Sequence, residues 1–320
     1  MKNKPILIVA GEPKSIFFEI FFKSLKKKIK SPIILICSLK ILKKQMRFFN
    51  FRKDLVVLNL KSISDKELNN KKLNIIDVYF QKSSRIKNKT KNKNKYIENC
   101  FETAFFLIKK NFTYKLINGP IKKSTFLNKN FLGITEYISA NFDKSDSGML
   151  IYNKKFSVCP LTTHLPIKLV SKNITKKLIL DRLLMISNFY KKLFKYKPKI
   201  GVTGLNPHCE SVLKVNEDFN IVTPAIKMAK IKGLDVSGPY SADTVFLKQN
   251  RNRFNIILGM YHDQVLTPIK TLFEYDAINI TMGLPFLRVS PDHGPNEKMV
   301  GKNLSNPTSL IRALEFLDRN

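Results

Sequence analysis

Residues 255–264 read NIILGMYHDQ, an apolar run that passes directly into a tyrosine, a histidine and an aspartate. Short apolar runs bounded by polar residues are typical of buried strands. Residues 156–164 (FSVCPLTTH) and 199–208 (KIGVTGLNPH) show the same arrangement, and each also ends in a histidine. Polar side chains that follow the strands of an open α/β sheet meet at the carboxyl edge of that sheet. The three stretches therefore predict an α/β domain that gathers three histidines along one edge.

These three histidines are candidate ligands of a divalent metal ion: His164, His208 and His262. Neutral imidazole is the commonest protein ligand for transition metals, and three imidazoles leave a coordination position open for a substrate. A single histidine in a loop is more often an ordinary solvated or hydrogen-bonded group. The recurrence of the pattern in a chain with only four histidines favours the metal site. Asp263 follows His262 directly, so its carboxylate is a candidate for fixing the imidazole tautomer.

The first third of the chain alternates apolar runs with helical spacing, which predicts a mostly parallel sheet with crossover helices. The predicted strands are Pro5–Ala10, Pro32–Cys37, Leu55–Leu60, Ile75–Phe80 and Tyr114–Ile117, and Ser15–Lys28 is predicted to be helical. The lysine-rich stretch Gln81–Lys95 is predicted to be a mobile surface loop, and a helix is predicted over Tyr96–Lys110.

The second half continues the alternation of strands and helices. A hairpin is predicted over Gly148–Tyr152 and Phe156–Leu161, and the apolar spacing of Lys176–Phe194 predicts a long amphipathic helix. Thr223–Lys232 is predicted to be a helix that ends at Gly233. The remaining predicted elements are strands at Lys199–Val202, Asn255–Met260 and Ala277–Thr281, and a final helix at Ser309–Asp318.

The charge of the chain is strongly positive, with 57 Lys and Arg residues against 24 Asp and Glu residues and a net charge of +33. The lysines are spread along the chain among abundant Asn, Ile and Phe, which indicates compositional bias rather than a specific nucleic-acid site. The four cysteines form no C-x-x-C pair, so neither a disulfide framework nor a zinc ribbon is predicted. No stretch is long enough to span a bilayer. We therefore expect a cytoplasmic protein without a membrane partner.

A second group of polar residues, Lys270, Asn279 and Arg288, lies among apolar residues and predicts an anion site. In so basic a chain, Lys270 can equally be ordinary surface charge. His293, within SPDHG at 290–294, is predicted to be structural or to line a cleft. Neither a G-x-G-x-x-G motif nor a P-loop is present, so no standard nucleotide site is predicted. Residue patterns alone thus indicate a metal-dependent α/β enzyme that acts on an anionic substrate.

Several motifs occur in a fixed order along the chain. They are GEP (11–13), GPIKK (119–123), TTHLP (162–166), GLNPH (204–208), GPYSADT (238–244), YHDQ (261–264) with Lys270, GLP (283–285) with Arg288, and SPDHG (290–294). With these motifs the chain resembles the 4-hydroxythreonine-4-phosphate dehydrogenase family of vitamin B6 biosynthesis. The resemblance covers nearly the full length and is densest after residue 162.

The resemblance implies an isocitrate/isopropylmalate-dehydrogenase-like fold, in which two α/β domains enclose a cleft. The first domain would comprise residues 1–125 and about 265–320 on the cofactor side. The second would comprise residues 126–264, with the metal ligands and the dimer contacts. A homodimer with shared active sites is implied, together with NAD bound without a glycine fingerprint. One divalent metal ion per subunit, Zn²⁺, Mg²⁺ or Co²⁺, is implied as well.

The resemblance also implies roles for individual residues. The metal ligands would be His164, His208 and His262, and the substrate contacts would be Thr135, Lys270, Asn279 and Arg288. Asp243 and Asp263 are candidate general bases. The implied reaction is NAD-dependent oxidation of 4-phosphooxy-L-threonine to 2-amino-3-oxo-4-phosphooxybutanoate, which decarboxylates to 3-amino-2-oxopropyl phosphate on the route to pyridoxal 5′-phosphate.

Departures from the family pattern leave alternatives open. Ile134 stands where the family has a histidine that contacts the substrate, which keeps 4-phosphoerythronate and 4-phosphothreonate open as substrates. Phe17 and Phe18 replace small residues after the first motif, where their bulk would narrow the cleft. A degenerate, non-catalytic member of the family is the remaining alternative.

Overall fold

The structure of the protein is a computed structural model that describes residues 3–64, 68–80, 89–122, 131, 133–143, 146–210, 216–291 and 294–320. The chain forms two compact units. Unit 1 comprises Met1–Ile138 and Pro285–Asn320, and unit 2 comprises Ser139–Leu284. The chain passes from unit 1 to unit 2 after Ile138 and returns after Leu284. Both positions come later in the sequence than the predicted boundaries, 125/126 and 264/265. Lys270 and Asn279 therefore belong to unit 2.

Unit 1 is built on a parallel sheet. Its strands are β1 (Ile6–Val9), β2 (Ile33–Cys37), β3 (Leu55–Val57), β4 (Leu73–Asp77), β5 (Lys115–Asn118) and β12 (Leu287–Pro291). They lie in the order β3-β4-β2-β1-β5-β12, and each neighbouring pair is parallel. Every residue of β1 and β2 is buried, as expected for parallel strands covered on both faces.

The helices of unit 1 are α1 (Phe17–Ser24), α2 (Leu39–Phe48), α3 (Lys89–Lys109), α4 (Ile134–Ala140) and α11 (Thr308–Arg319). The prediction of a loop over Gln81–Lys95 is wrong from Lys89 onward, because α3 begins at that residue. Residues 81–88 lie outside the described residues. Lysine has a high helix propensity, and the buried Tyr96, Ile97 and Phe101 continue one apolar face along the helix. Lys93 is also paired with the buried Glu12 at 2.7 Å.

The bulky residues after the first motif are part of the core. Phe17 and Phe18 are 0% and 3% exposed, and the ring of Phe17 stacks on that of Phe21 with centroids 5.6 Å apart. Gly119, just after β5, makes room for this cluster: a Cβ placed there would lie 2.7 Å from Phe17 Cδ2 and overlap the carbonyl oxygen of Ala10. The extra aromatic volume is thus absorbed by the packing of unit 1.

The strands of unit 2 lie in the order β11-β6-β7-β10-β8-β9. Its strands are β6 (Gly148–Tyr152), β7 (Ser157–Thr162), β8 (Ile200–Thr203), β9 (Val236–Tyr240), β10 (Ile256–Tyr261) and β11 (Ile278–Met282). Strands β7, β10, β8 and β9 are parallel, whereas β6 pairs antiparallel with both β7 and β11. The predicted hairpin of β6 and β7 is confirmed.

The helices of unit 2 are α5 (Val170–Asn173), α6 (Lys176–Phe194), α7 (Thr223–Ile231), α8 (Ala242–Val245), α9 (Lys248–Arg251) and α10 (His262–Phe273). Helix α6 has the predicted bounds. The hydroxyl of Thr175 accepts a hydrogen bond from Leu178 N at its start, and Lys195 ends it in the left-handed region. None of the helices in the described residues is apolar over a stretch sufficient to cross a bilayer.

We predict that Gly119→Ala lowers the free energy of unfolding by about 1–3 kcal/mol, because the new methyl group has no space between Ala10 and Phe17. Urea-induced unfolding measures the loss. Gly294→Ala is the matched control, since a Cβ at Gly294 meets no atom within 4 Å. An equal loss in both variants would contradict this account of the packing.

Candidate active site

The three predicted metal-binding histidines follow three neighbouring parallel strands. In the sheet of unit 2, β10 lies between β7 and β8, and Tyr261 at the end of β10 is in register with Thr162 at the end of β7. His262 follows β10 directly, and His164 comes two residues after β7. His208 lies in the segment that follows β8. All three histidines therefore follow the carboxyl ends of neighbouring parallel strands.

His164 and His262 form a pair at this edge. Their ring centroids lie 6.3 Å apart, with 36° between the ring planes. Both rings line one pocket of about 200 Å³, together with Thr162, Thr163, Leu165, Ile167, Val170, Tyr261 and Asp263. The hydroxyl of Thr162 donates to the carbonyl oxygen of Met260 at 2.8 Å, which joins the ends of β7 and β10 beneath the rings.

His262 is oriented by its neighbour in sequence. Its Nδ1 lies 2.6 Å from Asp263 Oδ1, and its side chain is 35% exposed. When Nδ1 carries the proton and donates it to this carboxylate, Nε2 presents its lone pair to the pocket. That is the tautomer that binds a metal ion, and a carboxylate behind the imidazole is the usual way to fix it.

The segment that carries His208 is held in a strained conformation. His208 and Cys209 have φ values of 57° and 60°, in the left-handed region that side chains with a Cβ rarely adopt. The carboxylate of Asp218, only 1% exposed, accepts hydrogen bonds from Leu205 N at 2.6 Å and from Asn206 N at 2.9 Å. The Asn206 side chain donates to the same carboxylate at 3.0 Å. Asp218 therefore anchors the loop to unit 2.

Gln264 joins the His208 segment to the helix that begins at His262. Its Oε1 accepts hydrogen bonds from Met260 N at 2.7 Å and from Thr203 Oγ1 at 2.8 Å. Its Nε2 donates to the carbonyl oxygen of Gly204 at 2.7 Å. One amide therefore fixes the spacing between the ends of β10 and β8.

Asp243 lies near His208 and is exposed. The hydroxyl of Ser241 donates to its carboxylate at 2.5 Å, and this bond, together with the nearby His208, lowers the pKa of Asp243. The carboxylate is therefore ionised at neutral pH. A lowered pKa also makes Asp243 a weaker general base.

Two of the predicted substrate contacts lie in unit 1 and meet there. Arg288, on β12, is 1% exposed, and its Nη1 donates to the hydroxyl of Thr135 at 3.3 Å. Its Nε donates to Asn118 Oδ1 at 2.8 Å. Burial lowers the pKa of Arg288 to about 10, against an opposing effect of Glu136, so the guanidinium is charged at neutral pH.

The other two predicted contacts lie in unit 2. Lys270, on α10, is half-buried, and burial lowers the pKa of its ammonium group. Asn279, on β11, has a buried Oδ1 without a hydrogen-bond partner among the described residues. A buried acceptor of this kind is costly unless a donor from a ligand completes it. Asp292, His293 and Lys123 of the predicted motifs lie outside the described residues.

In the described part of the chain, no group of three or more His, Cys, Asp or Glu side chains is close enough to hold a metal ion. Of the three predicted metal ligands, His164 and His262 line one pocket, and His208 lies in the segment that follows the neighbouring strand β8. The set of all three stays a prediction.

The family of this chain follows from comparison with known proteins. The family model for the pyridoxal phosphate biosynthetic protein PdxA matches residues 28–317. This chain belongs to the PdxA family. The resemblance stated from the motifs is thereby confirmed.

Relatives and solved structures of the PdxA family extend over almost the whole chain. The 4-hydroxythreonine-4-phosphate dehydrogenase of Sulfurihydrogenibium sp. is 36% identical and covers 97% of this chain and 96% of its own. That of Wigglesworthia glossinidia brevipalpis is 33% identical and covers 98% and 96%. The crystal structure of 4-hydroxythreonine-4-phosphate dehydrogenase from Klebsiella pneumoniae matches with a TM-score of 0.84 at 26% identity, covering 98% and 97%. The predicted α/β fold is confirmed.

Three residues around these sites were not predicted from the sequence: Asn118, Asp218 and Gln264. Asp218 comes ten residues after His208, and nothing in a single sequence links the two. Gln264 lies within the YHDQ motif, close to His262 in the sequence, and this position could have indicated a role at the site. Asn118 ends a strand directly before the GPIKK motif, where a polar residue in an apolar run is the only hint.

We predict that Asp218→Ala leaves the N–H groups of Leu205 and Asn206 without an acceptor and lowers the free energy of unfolding by about 1–3 kcal/mol. Hydrogen exchange at these two amides should accelerate at the same time. Glu217→Ala is the control, since among the described residues Glu217 accepts a hydrogen bond from the Asn206 side chain, at 3.0 Å, and from neither backbone amide. Unchanged protection of both amides in Asp218→Ala would contradict the anchoring role.

Proposed function

We propose that this protein is a metal-dependent, NAD-dependent dehydrogenase that oxidises 4-phosphooxy-L-threonine in pyridoxal 5′-phosphate biosynthesis. The observation that carries the proposal is the pair of His164 and His262 in one pocket at the carboxyl edge of the unit 2 sheet. Relatives that match over nearly the whole chain are 4-hydroxythreonine-4-phosphate dehydrogenases, which supports the reaction.

Imidazole donors beside the pocket suit Zn²⁺ or Co²⁺, whereas Mg²⁺, the third ion implied by the resemblance, prefers oxygen ligands. His164 and His262 present two imidazoles, and Asp263 favours the ligating tautomer of His262. His208 is proposed as the third ligand, with the set completed in a homodimer whose active sites use both subunits. A metal ion bound there acts as a Lewis acid that lowers the pKa of the substrate hydroxyl.

The overall reaction balances without a further co-reactant. The secondary alcohol loses a hydride to NAD⁺ and its hydroxyl proton to a base, which gives NADH and 2-amino-3-oxo-4-phosphooxybutanoate. This product is a β-keto acid, so its C–C bond to the carboxylate breaks with the electron pair delocalised onto the new carbonyl. Loss of CO₂ and uptake of one proton give 3-amino-2-oxopropyl phosphate.

The chain's own residues bind and orient the substrate in this proposal. Arg288 and Lys270 are cations held in partly or fully buried positions, where their attraction for an anionic group is screened less than at the surface. Thr135 and Asn279 add neutral polar groups. Fixing the substrate through such contacts lowers the entropic part of the barrier.

The two candidate bases differ in their environment. Asp263 already bonds to His262 Nδ1, which makes it an orienting group. Asp243 is ionised and exposed, and it remains the candidate for receiving the hydroxyl proton. Because its pKa is lowered, it can accept this proton only from a hydroxyl that has itself become more acidic.

Homodimerisation, a cytoplasmic location and the lack of a specific nucleic-acid partner belong to the same proposal. The first rests on the family resemblance and the other two on the composition of the chain. The positive charge of the chain attracts phosphate groups in general. It therefore favours the binding of a phosphorylated substrate and does not select one particular nucleic acid.

The substrate assignment is tested by comparing kcat/KM for 4-phosphooxy-L-threonine, 4-phosphoerythronate and 4-phosphothreonate, with NADH formation followed by absorbance. We expect the amino acid to be turned over best. A preference for either deaminated acid would move the assignment to a sister dehydrogenase and would implicate Ile134. No turnover of any of the three would favour the non-catalytic alternative.

We predict that His208→Ala removes most of the divalent metal that copurifies with the protein or binds from a cobalt solution, because two imidazoles alone bind far more weakly than three. Metal content by elemental analysis and the visible spectrum of Co²⁺ are the readouts. His293→Ala, a change to the fourth histidine, serves as the control and should keep its metal. Full metal retention in His208→Ala would remove His208 from the proposed set.

A further inference from the structure

A cavity of about 400 Å³ lies in unit 1 between the second half of α2 and the start of β3. Helix α2 follows the carboxyl end of β2, and β3 runs parallel to its neighbour, so Leu55 opens β3 at the amino edge of the sheet. Arg288 meets Asn118 where β5 ends, at the carboxyl edge. The cavity is therefore separate from the substrate contacts proposed in unit 1. The described residues that line it are Lys43, Met46, Arg47, Asn50, Phe51, Arg52, Lys53 and Leu55.

The charged side chains of this cavity are all cations: Lys43, Arg47, Arg52 and Lys53. Among the described residues, none of the four forms an ion pair or a side-chain hydrogen bond. Asp54 is next in the chain, but it is exposed and pairs with none of them. Four positive charges thus surround one concave surface, and no carboxylate lines it in the part of the chain that the structure describes.

Two of these cations repel each other on α2. Lys43 and Arg47 are both exposed and lie one turn apart, at positions i and i+4. Like charges at this spacing destabilise a helix. Arg47 lies in the last turn, where the helix dipole favours a cation, and Lys43 lies before it. An anion bound in the cavity would remove the repulsion, so binding there gains more than binding to an isolated surface lysine.

Apolar side chains form the rest of the cavity wall: Met46, Phe51 and Leu55. The ring of Phe51 stacks on that of the buried Phe22, with centroids 4.4 Å apart and 11° between the planes. Phe51 N donates to the carbonyl oxygen of Met46 at 2.8 Å, and Asn50 turns the chain with a φ of 48°. This wall is therefore a fixed turn with an apolar surface.

We propose that this cavity binds a small molecule that carries a di- or triphosphate group on an apolar or aromatic body, which is the chemistry of a nucleoside triphosphate. Two guanidinium groups and two ammonium groups suit several phosphate oxygens, the first as bidentate forks and the second as point charges. The apolar wall suits the body of the ligand. The volume lies within the range of about 300–1,000 Å³ that is typical of small-molecule sites. This inference is independent of the proposed dehydrogenase reaction.

The test is ATP binding by the full-length protein, measured by isothermal titration calorimetry at an ionic strength of about 0.15 M, where general surface attraction is screened. We expect the Kd for ATP to rise about tenfold or more in Lys43→Gln/Arg47→Gln, because two charge-assisted contacts are lost. An unchanged Kd would show that ATP binds elsewhere on the protein and would overturn the inference. So would a wild-type protein that binds no ATP, including one that binds only a single-stranded oligonucleotide.

The matched control is Lys191→Gln/Lys192→Gln, which removes two exposed lysines from the last turn of α6 in unit 2. Both double variants lower the net charge by the same amount, so the general attraction of a basic protein for anions falls equally in both. The control should keep the Kd of the wild-type protein. An equal rise of Kd in the two double variants would assign the binding to overall charge and would overturn the inference.

Two further readouts separate the site from other roles of its residues. ATP should bind more tightly than inorganic tripolyphosphate, and Met46→Ser should reduce this difference; equal or tighter binding of tripolyphosphate would overturn the apolar part of the assignment. Without ligand, Lys43→Gln/Arg47→Gln should melt at or above the wild-type temperature, because the like-charge pair is gone. A lower melting temperature would show that these cations support the fold and would count against a binding site.

Discussion

The parallel pairing of β7, β10 and β8 is the constraint on which the candidate active site depends. Backbone hydrogen bonds hold Thr162 level with Tyr261 and Leu258 level with Val202, so the segments after these strands begin at the same edge. Side chains separated by about a hundred residues of sequence are brought together by this register. A slip of one residue would turn the side chains of β10 to the opposite face of the sheet and would shift His262, which follows the strand.

Hydrogen-bonded polar side chains fix the geometry at the candidate sites of each unit. Asp218 and Gln264 bind the backbone of the segment that leads to His208, and Asn118 binds the guanidinium of Arg288. Asp218 and Asn118 are short side chains, which lose little entropy when they are held, whereas the longer Gln264 is fixed by three hydrogen bonds. Sites for metal ions and phosphates need such hydrogen bonds, because moving a binding group by about 1 Å greatly weakens its effect on binding or catalysis.

The sequence predicted those elements whose periodicity is long or whose apolar run is unbroken. Helix α6 was predicted with its observed bounds, and β1, β2 and β10 were located within one or two residues. Strands β9 and β12 were not predicted, and each contains a proline, which normally argues against a strand; β7 was predicted although it contains Pro160. The start of α3 was missed because its lysines were interpreted as a loop, although Lys93 pairs with the buried Glu12. The position of each histidine after a strand was predicted from the apolar run before it. Asp218 and Asn118 depend on tertiary contacts that a single sequence does not encode locally.

The most direct measurement is a crystal structure of the protein with Co²⁺ and 4-phosphooxy-L-threonine, with diffraction collected at the cobalt absorption edge. The account predicts an anomalous peak at the pocket between His164 and His262, coordinated also by His208 of the same or a neighbouring subunit, with the substrate hydroxyl beside it. Cobalt bound elsewhere, or the two imidazoles turned away from the ion, would contradict it.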